Sequence, residues 1–234
     1  MNLVFDIDDT LYDLREPFEK AYEKFLADRT RMSGEEMFLK SRVYSDIVLE
    51  QEKEGKVRPE DAFYLRMKMT CQDAGIELTR EEGREFEEAY RYHQKQIQIF
   101  ESARVVLDEC KAKGVPVAVL TNGSKAGQQK KADVLGLQRW IDNDCIFISG
   151  AIGFQKPDVR AFKYVEEKLA LRAEETWYIG DTYEADIIGA KAAGWHTVWL
   201  NHRNRSCPDR ISCADAEVTK KEQLPELLRS LEIL

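Results

Sequence analysis

Four short polar segments hold the side chains with chemical potential. Asp6-Ile7-Asp8-Asp9-Thr10 follows an apolar triplet, Thr121-Asn122-Gly123-Ser124 follows a second apolar run, Lys156-Pro157-Asp158 comes after a third, and Gly180-Asp181 closes a fourth, with Asp186 five residues further on. Each has an ordinary reading by itself. An Asp after a strand is a turn former or helix cap, Thr-Asn-Gly is a turn, and Lys-Pro-Asp starts a helix. Together they ask for more, because four or five carboxylates brought to one crevice repel one another unless a cation neutralises them. Two or three hard carboxylate oxygens suit Mg²⁺, which keeps several waters and commonly bridges to phosphate. A phosphate there needs neutral donors and a cation on its far side. The Thr121 hydroxyl, the backbone N–H groups of Asn122 and Gly123 and the charge of Lys156 can supply them. The chain has no G-x-x-x-x-G-K phosphate loop and no nucleophilic Ser or Cys setting, so the natural nucleophile is a carboxylate, as in enzymes that form an aspartyl phosphate.

That chemistry requires the four segments to meet, and the apolar runs before them show how. Runs rich in Val, Ile and aromatics stand at 3–5, 115–120, 145–148, 176–179 and 197–200, with helical segments of ten to fifteen residues between most of them. The alternation predicts an α/β fold, a Rossmann-like parallel sheet with helices on both faces, whose strands end at the ligand crevice. Residues 14–96 have a different texture, with 16 basic and 19 acidic side chains and almost no β-branched runs. Pro17 in a first turn, the capping boxes Ser33 with Glu36 and Thr79 with Glu82, and Pro59 ahead of Gly75 predict four helices. The expected organisation is therefore a core of residues 1–13 and 97–234 interrupted by a four-helix insertion over 14–96. A final amphipathic helix is expected over 222–231.

Composition narrows the possible functions. The 234 residues are 43% hydrophobic and 33% charged, with apolar runs too short to span a membrane. The opening MNLVFDIDDT has no signal-peptide pattern, so a cytoplasmic location is expected. A net charge of -8 disfavours broad nucleic-acid binding, and no protein partner is evident. The five cysteines lack metal-ligand spacing and read as reduced, packed thiols, and the three histidines are scattered.

In this order and at these places, DIDDT at 6–10, TNG at 121–123, KPD at 156–158 and GDTYEAD at 180–186 resemble the four motifs of the haloacid dehalogenase superfamily, over essentially the whole chain. The insertion is similar to the helical cap of the subfamily with phosphoglycolate phosphatase, beta-phosphoglucomutase and pyrimidine nucleotidases. The dehalogenases lack the second acid of the first motif, whereas this chain keeps Asp8, and the resemblance then implies phosphoryl transfer. It further implies that Asp6 attacks phosphorus and that Asp8 protonates the leaving oxygen and later deprotonates water. By the same resemblance Mg²⁺ binds the Asp6 carboxylate, the Asp8 backbone carbonyl and Asp181, and Asp186 stands behind them or supports Lys156. Asp8 is expected to have its pKa raised by neighbouring carboxylates, with Mg²⁺ and Lys156 pulling the other way, so that it can begin as an acid.

The insertion is expected to cover the crevice and contact the leaving group, with Arg15, Tyr44, Arg58 and Arg66 as polar candidates and Tyr12 beside the first motif. A lid of this kind favours a small phosphorylated metabolite, and FDIDDTLYD looks like the opening of nucleotidase-type members. The expected activity is Mg²⁺-dependent hydrolysis of a small phosphate monoester, a nucleotide or sugar phosphate, through a phosphoaspartate on Asp6. The alternatives are a phosphomutase of the beta-phosphoglucomutase type and a catalytically idle binding module.

Overall fold

The computed structural model describes residues 1–208 and 212–234. The chain divides into two compact units, one of residues 14–97 and one of residues 1–13 with 98–234.

Residues 14–97 form four helices, α1 (Glu16–Phe25), α2 (Gly34–Lys53), α3 (Pro59–Asp73) and α4 (Arg80–Gln94). Their starts follow from local chemistry. Ser33 Oγ accepts from the Glu36 amide at 3.2 Å while the Glu36 carboxylate accepts from the Ser33 amide at 2.7 Å, and Thr79 with Glu82 repeats the exchange at 3.2 and 2.8 Å. Pro17 and Pro59 sit in the first turns of α1 and α3, where a missing N–H costs nothing. The centre is aromatic: the Phe18 ring meets Phe38 and Phe86 edge-on at 5.7 and 5.5 Å. The polar candidates have partners inside this unit. Tyr44 donates to Asp73, Arg58 to Asp61, Arg15 pairs with Glu19 and Glu35, and Arg66 lies 4.6 Å over the Phe63 ring.

The second unit carries β1 (Asn2–Phe5), α5 (Glu101–Lys113), β2 (Val117–Thr121), α6 (Lys125–Leu135), β3 (Ile146–Ile148), α7 (Ser149–Ile152), α8 (Val159–Leu169), β4 (Thr176–Gly180), α9 (Gly189–Ala192), β5 (His196–Leu200), β6 (Ala216–Val218) and α10 (Leu224–Ser230). All strand pairs are parallel and run in the order β3-β2-β1-β4-β5-β6. Consecutive residues of a strand face opposite ways, and Leu3, Val4 and Phe5 are all fully buried, so both faces of the sheet are covered. One face packs Val4, Ala118, Leu120 and Tyr178 against Phe162, Val165 and Trp195. The chain moves outward from β1 through β2 to β3, then returns to lay β4 on the other flank of β1. This reversal puts the carboxyl ends of β1 and β4 at a topological switch point, where such sheets open a crevice.

Two elements depart from the sequence expectations. Five strands were expected, but β6 makes a sixth. Its sequence, Ala-Glu-Val, contains a single buried side chain, Val218, and is too short and polar to signal a strand. A neighbouring carboxylate anchors it. Asp215 accepts from the Thr197 amide at 2.7 Å, from Thr197 Oγ1 at 3.1 Å and from Lys191 Nζ at 2.9 Å, which ties the start of β6 to β5. The C-terminal helix is also shorter than the expected 222–231, because residues Lys221–Gln223 form a 3₁₀ turn and Pro225 lies in the first turn of α10.

Burial works against ionisation of Asp215, but the Lys191 ammonium and the Thr197 donors outweigh it and hold its carboxyl below the usual range. A depressed folded-state pKa adds stability above the unfolded value, and that stability is lost as pH falls through the folded value. Asp215→Asn should therefore lower the thermal midpoint at pH 7 by about 2–4 °C, for a loss near 1 kcal/mol. The gap from wild type should shrink below about pH 4. Differential scanning fluorimetry across pH reads both, and equal midpoints at pH 7 would remove the anchoring role.

Candidate active site

Asp6 is the first residue beyond β1, and its amide donates to the Ile179 carbonyl of β4 at 3.0 Å, so the sheet ladder itself seats Asp6 beside the end of β4. Asp181 is the first residue beyond β4. The π-helical turn Tyr183–Ile188 then brings Asp186 back toward the strand end. Its return depends on Gly180, where a Cβ would stand 2.4 Å from the Asp186 carboxylate. One carboxylate oxygen from each of Asp6, Asp181 and Asp186 lies within 4.8 Å of the other two, and all three residues are buried. No second group of this kind, from His, Cys, Asp or Glu, exists among the described residues.

Lys156 makes this gathering possible. The residue is 4% exposed, and its ammonium donates to Asp6 Oδ1 at 2.8 Å, to Asp186 Oδ1 at 2.6 Å and to the Tyr178 hydroxyl at 2.7 Å. Tyr178 in turn donates to the Leu120 carbonyl at 2.7 Å. Burial opposes the charge on Lys156, but Asp186 and Asp6 more than offset it and raise its pKa. For Asp6, burial pushes the carboxyl up, Lys156 pulls it down, and Asp186 and Asp8 add to the rise, which leaves it at about 6. Burial also raises Asp181, against the opposing charge of Arg205.

Lys156 is itself held by Asn122, whose side chain accepts from the Lys156 amide and donates to its carbonyl, both at 2.9 Å. Thr121, at the end of β2, has a buried hydroxyl with no hydrogen-bond partner, and so does Thr10. A buried unpaired hydroxyl is costly in the free protein, and the one at the carboxyl end of β2, on Thr121, suits an oxyanion. The Gly123 amide departs from expectation: it donates to Ser149 Oγ at 2.9 Å and is not free for a ligand. Gly123 is required for another reason, since its φ of 144° is denied to most residues and a Cβ would meet Gln128 at 2.9 Å.

Asp8 also differs from expectation. Burial raises its carboxyl, but Lys131 donates to both oxygens at 2.6 Å, Tyr12 to Oδ1 at 2.7 Å and Gln128 to Oδ2 at 3.0 Å, and the net shift is downward. The neighbouring carboxylates were expected to raise it, but its close charged partner is the Lys131 ammonium. Lys131 and Gln128, one turn apart on α6, were not singled out in the sequence. Nor were the cations that follow β5. Arg203 forks onto Asp9 at 2.6 and 3.0 Å and reaches Asp13 at 2.5 Å, while Arg205 Nη1 donates to Asp181 Oδ2 at 2.7 Å. His202 Nε2 donates to the Asp9 carbonyl at 2.8 Å, a structural use of that ring.

Three buried carboxylates opposed by one fixed ammonium and one arginine leave a net negative, all-oxygen donor set. That is the chemistry a small hard dication selects, so the residues present fit Mg²⁺.

A doubly covered parallel sheet with an Asp-rich crevice at its switch point defines a Rossmann-like α/β core. Residues 1–194 match the family described as haloacid dehalogenase-like hydrolases, and the chain belongs to it. It is similar to the candidate HAD-hydrolase YfnB of Bacillus subtilis (strain 168), 28% identical over 229 residues that cover 97% of this chain and 94% of that protein. The crystal structure of YfnB bound to magnesium superposes with a TM-score of 0.71 at 26% identity, covering 97% of each chain. The pyrimidine 5'-nucleotidase YjjG of Escherichia coli (strain K12) is 34% identical over 97 residues, 41% of this chain and 42% of that one. An L-2-haloacid dehalogenase from Xanthobacter autotrophicus, 18% identical, shares the fold with a TM-score of 0.73 over 98% of both chains.

Removing the shared cation should be costly. Lys156→Met strands two buried carboxylates and should lower the unfolding free energy by about 3–5 kcal/mol. Adding Asp186→Asn should recover part of that loss. Urea titrations in EDTA measure both, and a single variant as stable as wild type would show that Lys156 does not hold the carboxylates together.

Proposed function

We propose that the protein is a Mg²⁺-dependent phosphatase that hydrolyses a small phosphate monoester, with a nucleotide or sugar phosphate as the substrate class and the cytoplasm as its place of action. The observation that carries this reading is a buried Asp6 locked by Lys156 beside Asp181 and Asp186, with the unpaired Thr121 hydroxyl at the neighbouring strand end. Relatives named as phosphatases and nucleotidases, YjjG among them, support it. The presence of Asp8 favours phosphoryl over haloacid chemistry, since carbon–halogen displacement by a carboxylate needs no proton for the leaving halide.

In this reading an Asp6 oxygen attacks phosphorus as the bond to the leaving oxygen breaks, giving a phosphoaspartate. Asp8 gives its proton to the leaving alcohol. It then takes a proton from the water that attacks the phosphoaspartate, which releases inorganic phosphate and restores Asp6. In the structure Asp8 is held ionised by Lys131, the state required for the second half. To act as an acid it must turn from Lys131 and take up a proton. Thr121 and Lys156 would bind the phosphoryl oxygens, and Asn122 would fix the Lys156 backbone. Asp6, the Asp8 carbonyl and Asp181 would hold Mg²⁺, with Asp186 supporting Lys156. When bound, the ion would offset charge on the phosphoryl oxygens. That the similar YfnB was crystallised bound to magnesium supports magnesium as the ion.

Asp6→Asn should abolish phosphate release from p-nitrophenyl phosphate, a loss of at least about 10³-fold, while circular dichroism stays unchanged. EDTA should silence the wild type and MgCl₂ restore it. A panel of nucleoside monophosphates and sugar phosphates, scored by inorganic phosphate, identifies the substrate. Turnover that survives in Asp6→Asn would end the reading.

A further inference from the structure

Arg205 belongs to none of the four motifs, yet it occupies one of the three clustered carboxylates. Its backbone is held by Asn201, which donates to the Arg205 carbonyl at 2.9 Å and accepts from its amide at 2.7 Å. Asn201 is tied in turn to Glu217 of β6 at 2.8 Å. From this support the guanidinium reaches in, with Nη1 2.7 Å from Asp181 Oδ2 and Nη2 3.5 Å from Asp9 Oδ2.

The two cations that neutralise the trio differ in freedom. Lys156 has a side chain 3% exposed with three partners, whereas the Arg205 side chain is 38% exposed and bonds only one member, Asp181, itself 7% exposed. The Lys156 bonds are internal to the crevice and cannot be given up without stranding Asp6 and Asp186. The Arg205 bond can be. Withdrawal leaves its head near solvent and beside Asp9, which is already paired with Arg203 but lies within reach.

From this asymmetry we propose that Arg205 is a resident counter-cation on Asp181 that an incoming divalent ion must displace, so that Arg205 sets the metal affinity of the site. The proposal rests on the reading that Asp6 and Asp181 are metal ligands. While paired, Arg205 uses the lone pairs of Asp181 Oδ2 and places a positive charge against the position a dication would take. Both effects weaken binding. In the metal-free protein the same pair relieves repulsion among Asp6, Asp181 and Asp186. Arg205 is thus a positioning residue acting through Asp181, and it stabilises the empty site at the expense of the filled one.

Isothermal titration calorimetry with MgCl₂ tests the exchange without reference to turnover. Arg205→Gln removes the charge and should tighten Mg²⁺ binding about tenfold. Arg205→Lys keeps the charge and should stay within about threefold of wild type. In EDTA, Arg205→Gln should melt below wild type, and saturating MgCl₂ should close the gap, because the ion takes over the neutralising role. The side chain is part-exposed and its backbone is anchored by Asn201, so the variants should fold; Arg205→Met provides the same comparison should the glutamine variant not accumulate. If the wild type binds Mg²⁺ and Asp181→Asn loses it, unchanged or weaker binding in Arg205→Gln overturns this proposal alone. Absence of Mg²⁺ binding by the wild type overturns the metal reading and the proposal with it.

Discussion

The site depends on one buried ammonium. Ionised carboxylates seldom share a water-poor crevice, because each loses its hydration and repels its neighbours. Lys156 resolves this for Asp6 and Asp186 by donating to both, and its third bond, to Tyr178, ties the arrangement to the Leu120 carbonyl in the middle of the sheet. The chain from β2 through Tyr178 and Lys156 to Asp6 is continuous, so the nucleophile candidate is oriented by the core and not by a surface loop. Asn122 closes the circuit by gripping the Lys156 backbone from the end of β2.

Around that centre the remaining acids are compensated one by one. Lys131 neutralises Asp8, Arg203 neutralises Asp9 and Arg205 neutralises Asp181. An overall charge of -8 therefore says little about the crevice, where every member of the first motif's acid run is paired with a cation, Asp6 sharing Lys156 with Asp186. The compensating residues come from α6 and from the segment after β5, which makes those two regions part of the site even though neither supplies a motif.

The division between what could and could not be read from sequence follows the same line. The places of Asp6, Thr121 and Asp181 were legible because strand ends in a parallel sheet are predictable from apolar runs, and polar residues at or just beyond them face the crevice; Lys156, beyond α7, was singled out by its motif. The Ser33 and Thr79 boxes were legible because capping is a contact between residues three apart. Lys131 and Gln128 were not, since they lie in the polar stretch Gln-Gln-Lys-Lys, whose inward side only the packed helix defines. Arg203 and Arg205 lie in an irregular segment without periodicity. The Asp8 environment was misjudged for this reason: its acidic neighbours are adjacent in sequence, but its cation is 123 residues away. Strand β6 escaped because its stability comes from backbone pairing and Asp215, not from an apolar side-chain pattern.

The bond from the Asp6 amide to the Ile179 carbonyl makes the distance between two acids a property of the main chain. Neighbouring strands stand about 4.8 Å apart whatever their side chains, and Asp6 and Asp181 are each the first residue past such a pair. The gauge of the opening they share is therefore inherited from the backbone lattice. A longer acid at either position would crowd that opening without widening it, because the spacing belongs to hydrogen bonds that no side-chain substitution reaches.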